Sequence, residues 1–161
     1  MSTNVIPSQY ERPLQKWMGR MTVTDPIPVV VTRSVDANRS RIFQALTIAE
    51  YMEAWFVAPD MIAGSATVLT EPDCFLVSYN SCERGRQSFV GSYKQLRRGK
   101  VQFWWRRDSF GETNSSLVKV RLQGDFGRTT VLLEHTGLDG PEQLWYRMLW
   151  EASLERLATL F

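Results

Sequence analysis

The stretch Pro141–Phe161 restricts the architecture more than any other part of this chain. Projected at 100° per residue, Tyr146, Leu149, Trp150, Ser153, Leu154, Leu157, Leu160 and Phe161 fall on one broad face. Arg147, Glu151, Glu155 and Thr159 fall opposite, with Trp145 and Met148 on the flanks. Gly140 is available as N-cap, and Pro141 suits the first helical position, where no intrahelical N–H bond is lost. Glu142 then sits where the positive end of the helix dipole favours it. A helix with so wide an apolar face has to lie against something long and concave.

The residues before it supply such a partner. From Ser65 onward the hydrophobic period is two. Ala66–Leu69 reads as a short strand. Phe75, Val77 and Tyr79 share one face of Cys74–Asn80, and Phe89, Gly91 and Tyr93 one face of Ser88–Leu96. In Val101–Arg107, Val101, Phe103 and Trp105 alternate with Gln102, Trp104 and Arg106. Val118, Val120 and Leu122 alternate within Leu117–Gln123, as do Val131, Leu133 and His135 within Thr129–Thr136. Turns are expected at Glu71-Pro72-Asp73, Gly85, Gly99, Gly111 and the tetrad Gly124-Asp125-Phe126-Gly127. Short turns between such segments imply an antiparallel meander with one face covered.

Upstream, Val29–Val35 is β-branched and reads as the first strand. Asn38 is a plausible N-cap for a short helix that buries Ile42, Phe43 and Leu46. Thr47 and Glu50 have capping-box spacing, so a second helix with Tyr51, Met52, Trp55 and Phe56 is expected before Pro59 stops it. The expected fold is therefore α+β, a helix grip. A curved antiparallel sheet of about seven strands surrounds the long C-terminal helix, and two short helices follow the first strand. A cavity between sheet and helix is expected with it. The domain spans residues 29–161. Residues 1–28, punctuated by Pro7, Pro13, Pro26 and Pro28, read as an arm or linker, with Leu14, Trp17 and Met18 on one side of a short helical stretch.

Three segments carry a resemblance to a known superfamily. They are Val31-Thr32-Arg33-Ser34-Val35-Asp36-Ala37, then Ile42-Phe43-Gln44-Ala45-Leu46-Thr47, then Tyr51-Met52-Glu53-Ala54-Trp55-Phe56. Together they resemble the opening of the START/Bet v 1-like (SRPBCC) superfamily, in the branch similar to the C-terminal domain of the Hsp90 ATPase activator. Thr129–Leu138 followed by the Trp-rich helix is similar to that branch's ending. The resemblance implies the helix-grip fold and, for most members, an apolar or amphipathic molecule held between sheet and helix. It extends to cyclases, small hydrolases and co-chaperones on the same scaffold, so it does not by itself select a function. The 28 residues of the arm are too few for the Hsp90-binding domain of the co-chaperone, which weighs against an Hsp90 role.

Composition excludes several classes. Net charge is +2, too small to imply nucleic acid, and the arginines Arg84, Arg86, Arg97, Arg98, Arg106 and Arg107 read as solvated hairpin tips. One histidine and two cysteines without ligand spacing give no metal site, and no phosphate loop is present, so no cofactor is expected. Cys74 and Cys82 read as free, buried thiols of a reducing compartment. Without a basic region leading into an apolar core, or about 20 consecutive apolar residues, the expected localisation is cytoplasmic with no membrane span.

The candidate partner is a small hydrophobic or aromatic molecule. Its wall would be Trp55, Phe75, Phe103, Trp105, Trp150 and Leu157, with polar contacts from Tyr79, Tyr93, His135, Tyr146 and Ser153. His135 reads more strongly as a core or rim histidine satisfied by a backbone partner; in an enzyme of cyclase or hydrolase type, His135 or a tyrosine would be the acid or base. A co-chaperone-like interaction protein is the third class, and it requires a filled interior and an exposed apolar patch. Trp104 and Trp145 point outward by period, as in a self-association surface or a lid contact. If the arm packs across a homodimer, deleting residues 10–21 lowers the sedimentation coefficient towards the monomer value. An unchanged coefficient removes that role.

Overall fold

The computed structural model of the chain describes residues 27–108 and 114–161. The arm segment 10–21 and the turn at Gly111 lie outside them. Strand β1 (Val29–Val35) leads into helices α1 (Arg39–Thr47) and α2 (Ala49–Trp55). Strands β2 (Thr67–Glu71), β3 (Cys74–Ser81), β4 (Gly85–Arg97), β5 (Lys100–Arg107), β6 (Ser116–Asp125) and β7 (Arg128–Thr136) follow, and α3 (Gly140–Thr159) ends the fold. The strands form one curved antiparallel sheet in the order β1-β7-β6-β5-β4-β3-β2. The meander is thus carried from β2 to β7 by consecutive hairpins, and β1 returns to pair with β7, Val29 opposite His135 and Val35 opposite Thr129. The expected α+β helix grip is the observed fold.

Alternation does what the period predicted. Val101, Phe103 and Trp105 of β5, Val118, Val120 and Leu122 of β6, and Val131 and Leu133 of β7 are all buried on the concave face. Against them α3 buries Tyr146, Leu149, Trp150, Ser153, Leu154 and Leu157. Helices α1 and α2 contribute Ile42, Leu46, Met52 and Trp55 to the same core, because two short helices separated by extended Ile48 can bend over the sheet where one straight helix could not.

Local details differ from the sequence reading for identifiable reasons. The α3 N-cap is Asp139, not Gly140: its carboxylate accepts from the Glu142 N–H at 3.0 Å while Glu142 accepts from the Asp139 N–H, a reciprocal capping box that glycine has no side chain to make. Thr47 does not cap α2. Its hydroxyl donates to the Phe43 carbonyl at 2.8 Å, ending α1, and α2 starts after Ile48 with no side-chain cap. Gly85 opens β4 and Gly124 and Asp125 belong to β6, so the last hairpin turns on Phe126-Gly127 alone, with Gly127 at φ +77. Leu160 is exposed past the helix end. Cys74 is half-buried and Cys82 exposed; both are free, but neither is the buried thiol expected. Trp104 is exposed, beneath the Lys94 ammonium, whereas Trp145 is partly buried, its ring 6.1 Å from Phe89 and 4.9 Å from Tyr146. Its position on the edge of the α3 face turns it into the sheet's end instead of solvent.

Gly91 illustrates how tightly the concave face is filled. The Phe75 ring lies directly over it, where a Cβ would sit, and that ring is held on its other sides by Tyr93, Phe103 and Trp105. Gly91→Ala therefore forces a buried ring to move and should cost about 1–3 kcal/mol. Chemical denaturation reads this directly, and a variant as stable as the parent would show that Phe75 has room to shift.

Candidate functional site

The concave face has an apolar interior and a polar end. In the interior, space of about 30 Å³ remains between sheet and α3. Fourteen side chains line it, all apolar in character, including Trp55, Phe75, Phe103, Trp105 and Trp150. Five of the six expected wall residues thus line it; Leu157 is buried on α3 but is not part of the lining. The space is far below the roughly 300–1,000 Å³ of ligand pockets, so the cavity expected between sheet and helix is nearly filled. Twelve per cent aromatic residues explain the difference, because a chain of Phe89, Trp105, Tyr146, Trp150 and His135 rings in mutual contact fills what smaller side chains would leave open.

The five polar candidates lie off this interior space, and four of them are held by specific bonds. Ser153 sits mid-helix and is completely buried; its hydroxyl accepts from the Val57 N–H at 2.9 Å and donates to the Val57 carbonyl at 3.3 Å, pinning the segment after α2 to α3. Tyr79 donates to Asp60 at 2.8 Å. Tyr93, at the other end of the sheet, meets Phe75 at a tilt and Phe103 edge-on, and burial, with the Cys74 thiol nearby, pushes its phenol up to about 12. Tyr146 accepts from the Trp105 indole N–H at 3.0 Å.

His135 is fully buried, and its two ring nitrogens have defined roles. The Trp150 indole N–H donates to Nδ1 at 3.0 Å. An indole can only donate, so Nδ1 carries no proton and the neutral ring holds its proton on Nε2. Nε2 lies 2.7 Å from the Ser116 hydroxyl, which therefore accepts from it, while Ser116 turns its own proton to the Trp105 carbonyl at 3.4 Å. The spacing is that of a serine–histidine dyad with the proton on the wrong nitrogen. A general base needs Nε2 bare and Nδ1–H held by a carboxylate. Here the imidazole is a link between α3, β7 and β6, a core histidine as expected but satisfied by two side chains and not by the backbone. Burial holds it down at about 3, neutral at any physiological pH.

The polar end is where sequence reasoning missed the most. Asp60, in the segment between α2 and β2, accepts from Tyr79 at 2.8 Å, from Ser81 at 2.7 Å, and from the Arg84 guanidinium at 2.9 and 3.2 Å. Burial opposes its ionisation, but the bonds from Ser81, Arg84 and Tyr79 outweigh burial and hold the carboxyl at about 2. Arg107 was read as a solvated tip. It continues the inward parity of Val101, Phe103 and Trp105, the signal that identifies it, and its guanidinium lies 4.9 Å above the Phe89 ring with Nη1 donating to Gln87 at 2.9 Å. Around Arg107 the sheet end and the α3 N-terminus enclose two adjoining clefts. One, of about 330 Å³, is bounded by Asp60, Arg84, Trp145 and Tyr146; the other, of about 510 Å³, by Trp105, Ser116, Asp139 and Tyr146. Trp105 belongs to both the interior space and the second cleft, and its hydrogen bond to Tyr146 separates them.

A grouping of metal-type ligands is present at Glu71, Asp73 and Cys74, with donor atoms within 4.8 Å on the exposed β2–β3 turn, away from this end of the sheet. No described helix is long and apolar enough to cross a membrane.

The buried histidine has a pH signature. The unfolded chain takes up a proton on His135 below about pH 6.5, and the native fold refuses it until about 3. Stability is thus complete above the unfolded value and declines as pH falls, by about 2 kcal/mol between pH 7 and 5. That window lies above the range where Asp60, held at about 2, adds its own acid loss. His135→Gln should be less stable at pH 7 but flatter across the window. Urea midpoints with the parent's slope retained in the variant would assign the dependence to another group.

The fold has many solved counterparts. A protein of Chromobacterium violaceum superposes with TM-score 0.69 at 17% identity, covering 84% of this chain and 97% of that one. A Mycobacterium smegmatis protein does so with TM-score 0.67 at 11% identity, over 83% and 90%. The AHSA1 protein of Silicibacter pomeroyi gives TM-score 0.67 at 16% identity, over 83% and 96%. At these identities the likeness is one of fold. No curated protein matches the chain. The family profile described as activator of Hsp90 ATPase homolog 1-like protein matches residues 36–161, and the chain belongs to that family.

Proposed function

We propose that the protein binds a small hydrophobic or aromatic molecule at the open end of the helix grip, with the body of the ligand passing Trp105 and Tyr146 into the apolar interior. The observation that carries this reading is that the interior space and the second cleft share Trp105 in their linings. An uninterrupted apolar lining lies behind Trp105, ligand-sized clefts lie in front of it, and one hydrogen bond divides them. That bond is worth a net of about 1 kcal/mol, little against the burial of an aromatic ligand, so parting the two rings is an affordable step. Enzymatic action draws no support from His135, whose proton stands on the nitrogen facing Ser116.

A second reading has its own observation. The nearly filled interior, with Leu69 and Trp104 exposed on the outer sheet face, is what a protein-docking, co-chaperone-type member would show.

The neutral probe N-phenyl-1-naphthylamine separates them. Fluorescence enhancement with saturable binding is expected, together with an adduct mass in native mass spectrometry. Val120→Phe, which fills the interior space, should weaken binding at least severalfold. A probe that fails to bind, or binds indifferently to Val120→Phe, leaves the docking reading in possession.

A further inference from the structure

Arg107 is a cation on the concave face that packing alone does not explain. Arg33, the other arginine at an inward position of the sheet, is paired with Glu155; Arg84 is paired with Asp60, Arg106 with Asp108 and Arg128 with Asp36. Arg107 has no carboxylate partner among the described residues. Its Nη1 is engaged by the neutral Gln87 amide, its guanidinium carbon lies 4.9 Å from the Phe89 ring centroid, and the residue lines both clefts, with Nε and Nη2 bonded to no described residue. A half-buried guanidinium held over a ring and oriented by an amide keeps a fork that suits a planar, two-oxygen acceptor.

The surrounding charges narrow what that acceptor is. Asp60 is neutralised by Arg84, and Asp139 and Glu142 are tied into the α3 capping box. With Glu83 they nevertheless leave carboxylates on the cleft rim, which disfavours a dianion such as a phosphate monoester and tolerates a single negative charge. Trp145 and Tyr146 flank the same cleft with apolar surface that continues to Trp105. From these groups we infer that the ligand is an amphipathic monoanion: a carboxylate or sulfonate head on the Arg107 fork, and an apolar body lying along Trp145 and Tyr146 towards the interior. The inference rests on the binding function proposed above and adds the chemistry of the head.

A matched probe pair tests it. N-phenyl-1-naphthylamine and 8-anilino-1-naphthalenesulfonate share one aromatic frame and differ by the sulfonate. The parent protein should bind the sulfonate more tightly than the neutral compound, and raised salt should reduce that preference. In Arg107→Gln, which keeps an amide able to meet Gln87, the ratio of sulfonate to neutral affinity should fall about tenfold or more. Arg121→Gln, an equal change of net charge on the exposed side of β6, should leave the ratio as it is. If Arg107→Gln does not fold, Arg107→Lys carries the test with a smaller fall, since it keeps the charge and loses the fork. An unchanged ratio in a folded Arg107 variant that binds both probes overturns the monoanion and leaves the apolar site standing. Failure of the neutral probe to bind the parent protein removes the binding function itself, and the inference with it.

Discussion

Everything in this fold hangs on α3 being seated against a sheet that has only one apolar side. Burial of Tyr146, Leu149, Trp150, Leu154 and Leu157 supplies the driving force, at about 1.5–3 kcal/mol for each large aliphatic side chain removed from water. Burial is non-directional, and it would accept the helix at several rotations and heights. The bond from Trp150 to His135 does not. It fixes one point of α3 to β7, and through Ser116 to β6 and the Trp105 carbonyl of β5, so that three strands and the helix share one polar chain inside an apolar core. A second fixed point, Ser153 on the backbone of Val57, sets the segment after α2 against the same helix. Unmaking either would leave buried polar groups without partners, which is why a single register is selected.

Those anchors divide the concave face. Towards its centre, aromatic rings close the space until little is left. Towards the α3 N-terminus, the inward alternation of β5 runs on from Trp105 to Arg107, and the strand ends meet a capped helix start and the Asp60 segment. Apolar packing gives way there to hydrogen bonds and charge, and the clefts form because polar groups that must reach water cannot be packed to the density of a core. At that junction an apolar wall and the Arg107 cation, which meets no carboxylate among the described residues, lie side by side.

How far the sequence could be read follows from the range of each interaction. Strand identities, the two short helices and the buried face of α3 were legible because alternation and helical period are local records of which side faces the core. Five of the eleven candidate residues line the interior space, since wall positions follow from parity. Parity says nothing about what a polar side chain bonds. Tyr79 and Ser153 were placed inward correctly and turned out to hold Asp60 and Val57. Gly140 yields the α3 cap to Asp139, whose carboxylate makes the bond, and Thr47 is no cap because its own hydroxyl bonds back to Phe43. Arg107 was passed over although its position in the alternation marks it, since arginine at a strand end ordinarily means solvent.

The sequence by itself determined the grip: a two-residue period along the strands, a helical period in α3, and the turns between them leave one arrangement in which both apolar faces are covered. Which nitrogen of His135 holds the proton, how little space the rings leave, and that Arg107 meets no carboxylate among the described residues are all set by tertiary contacts. The reason is physical. Burial of a face is an average over many contacts and leaves a periodic trace in the chain, whereas a hydrogen bond or an ion pair depends on a few ångströms between residues distant in sequence, and no local pattern records that distance.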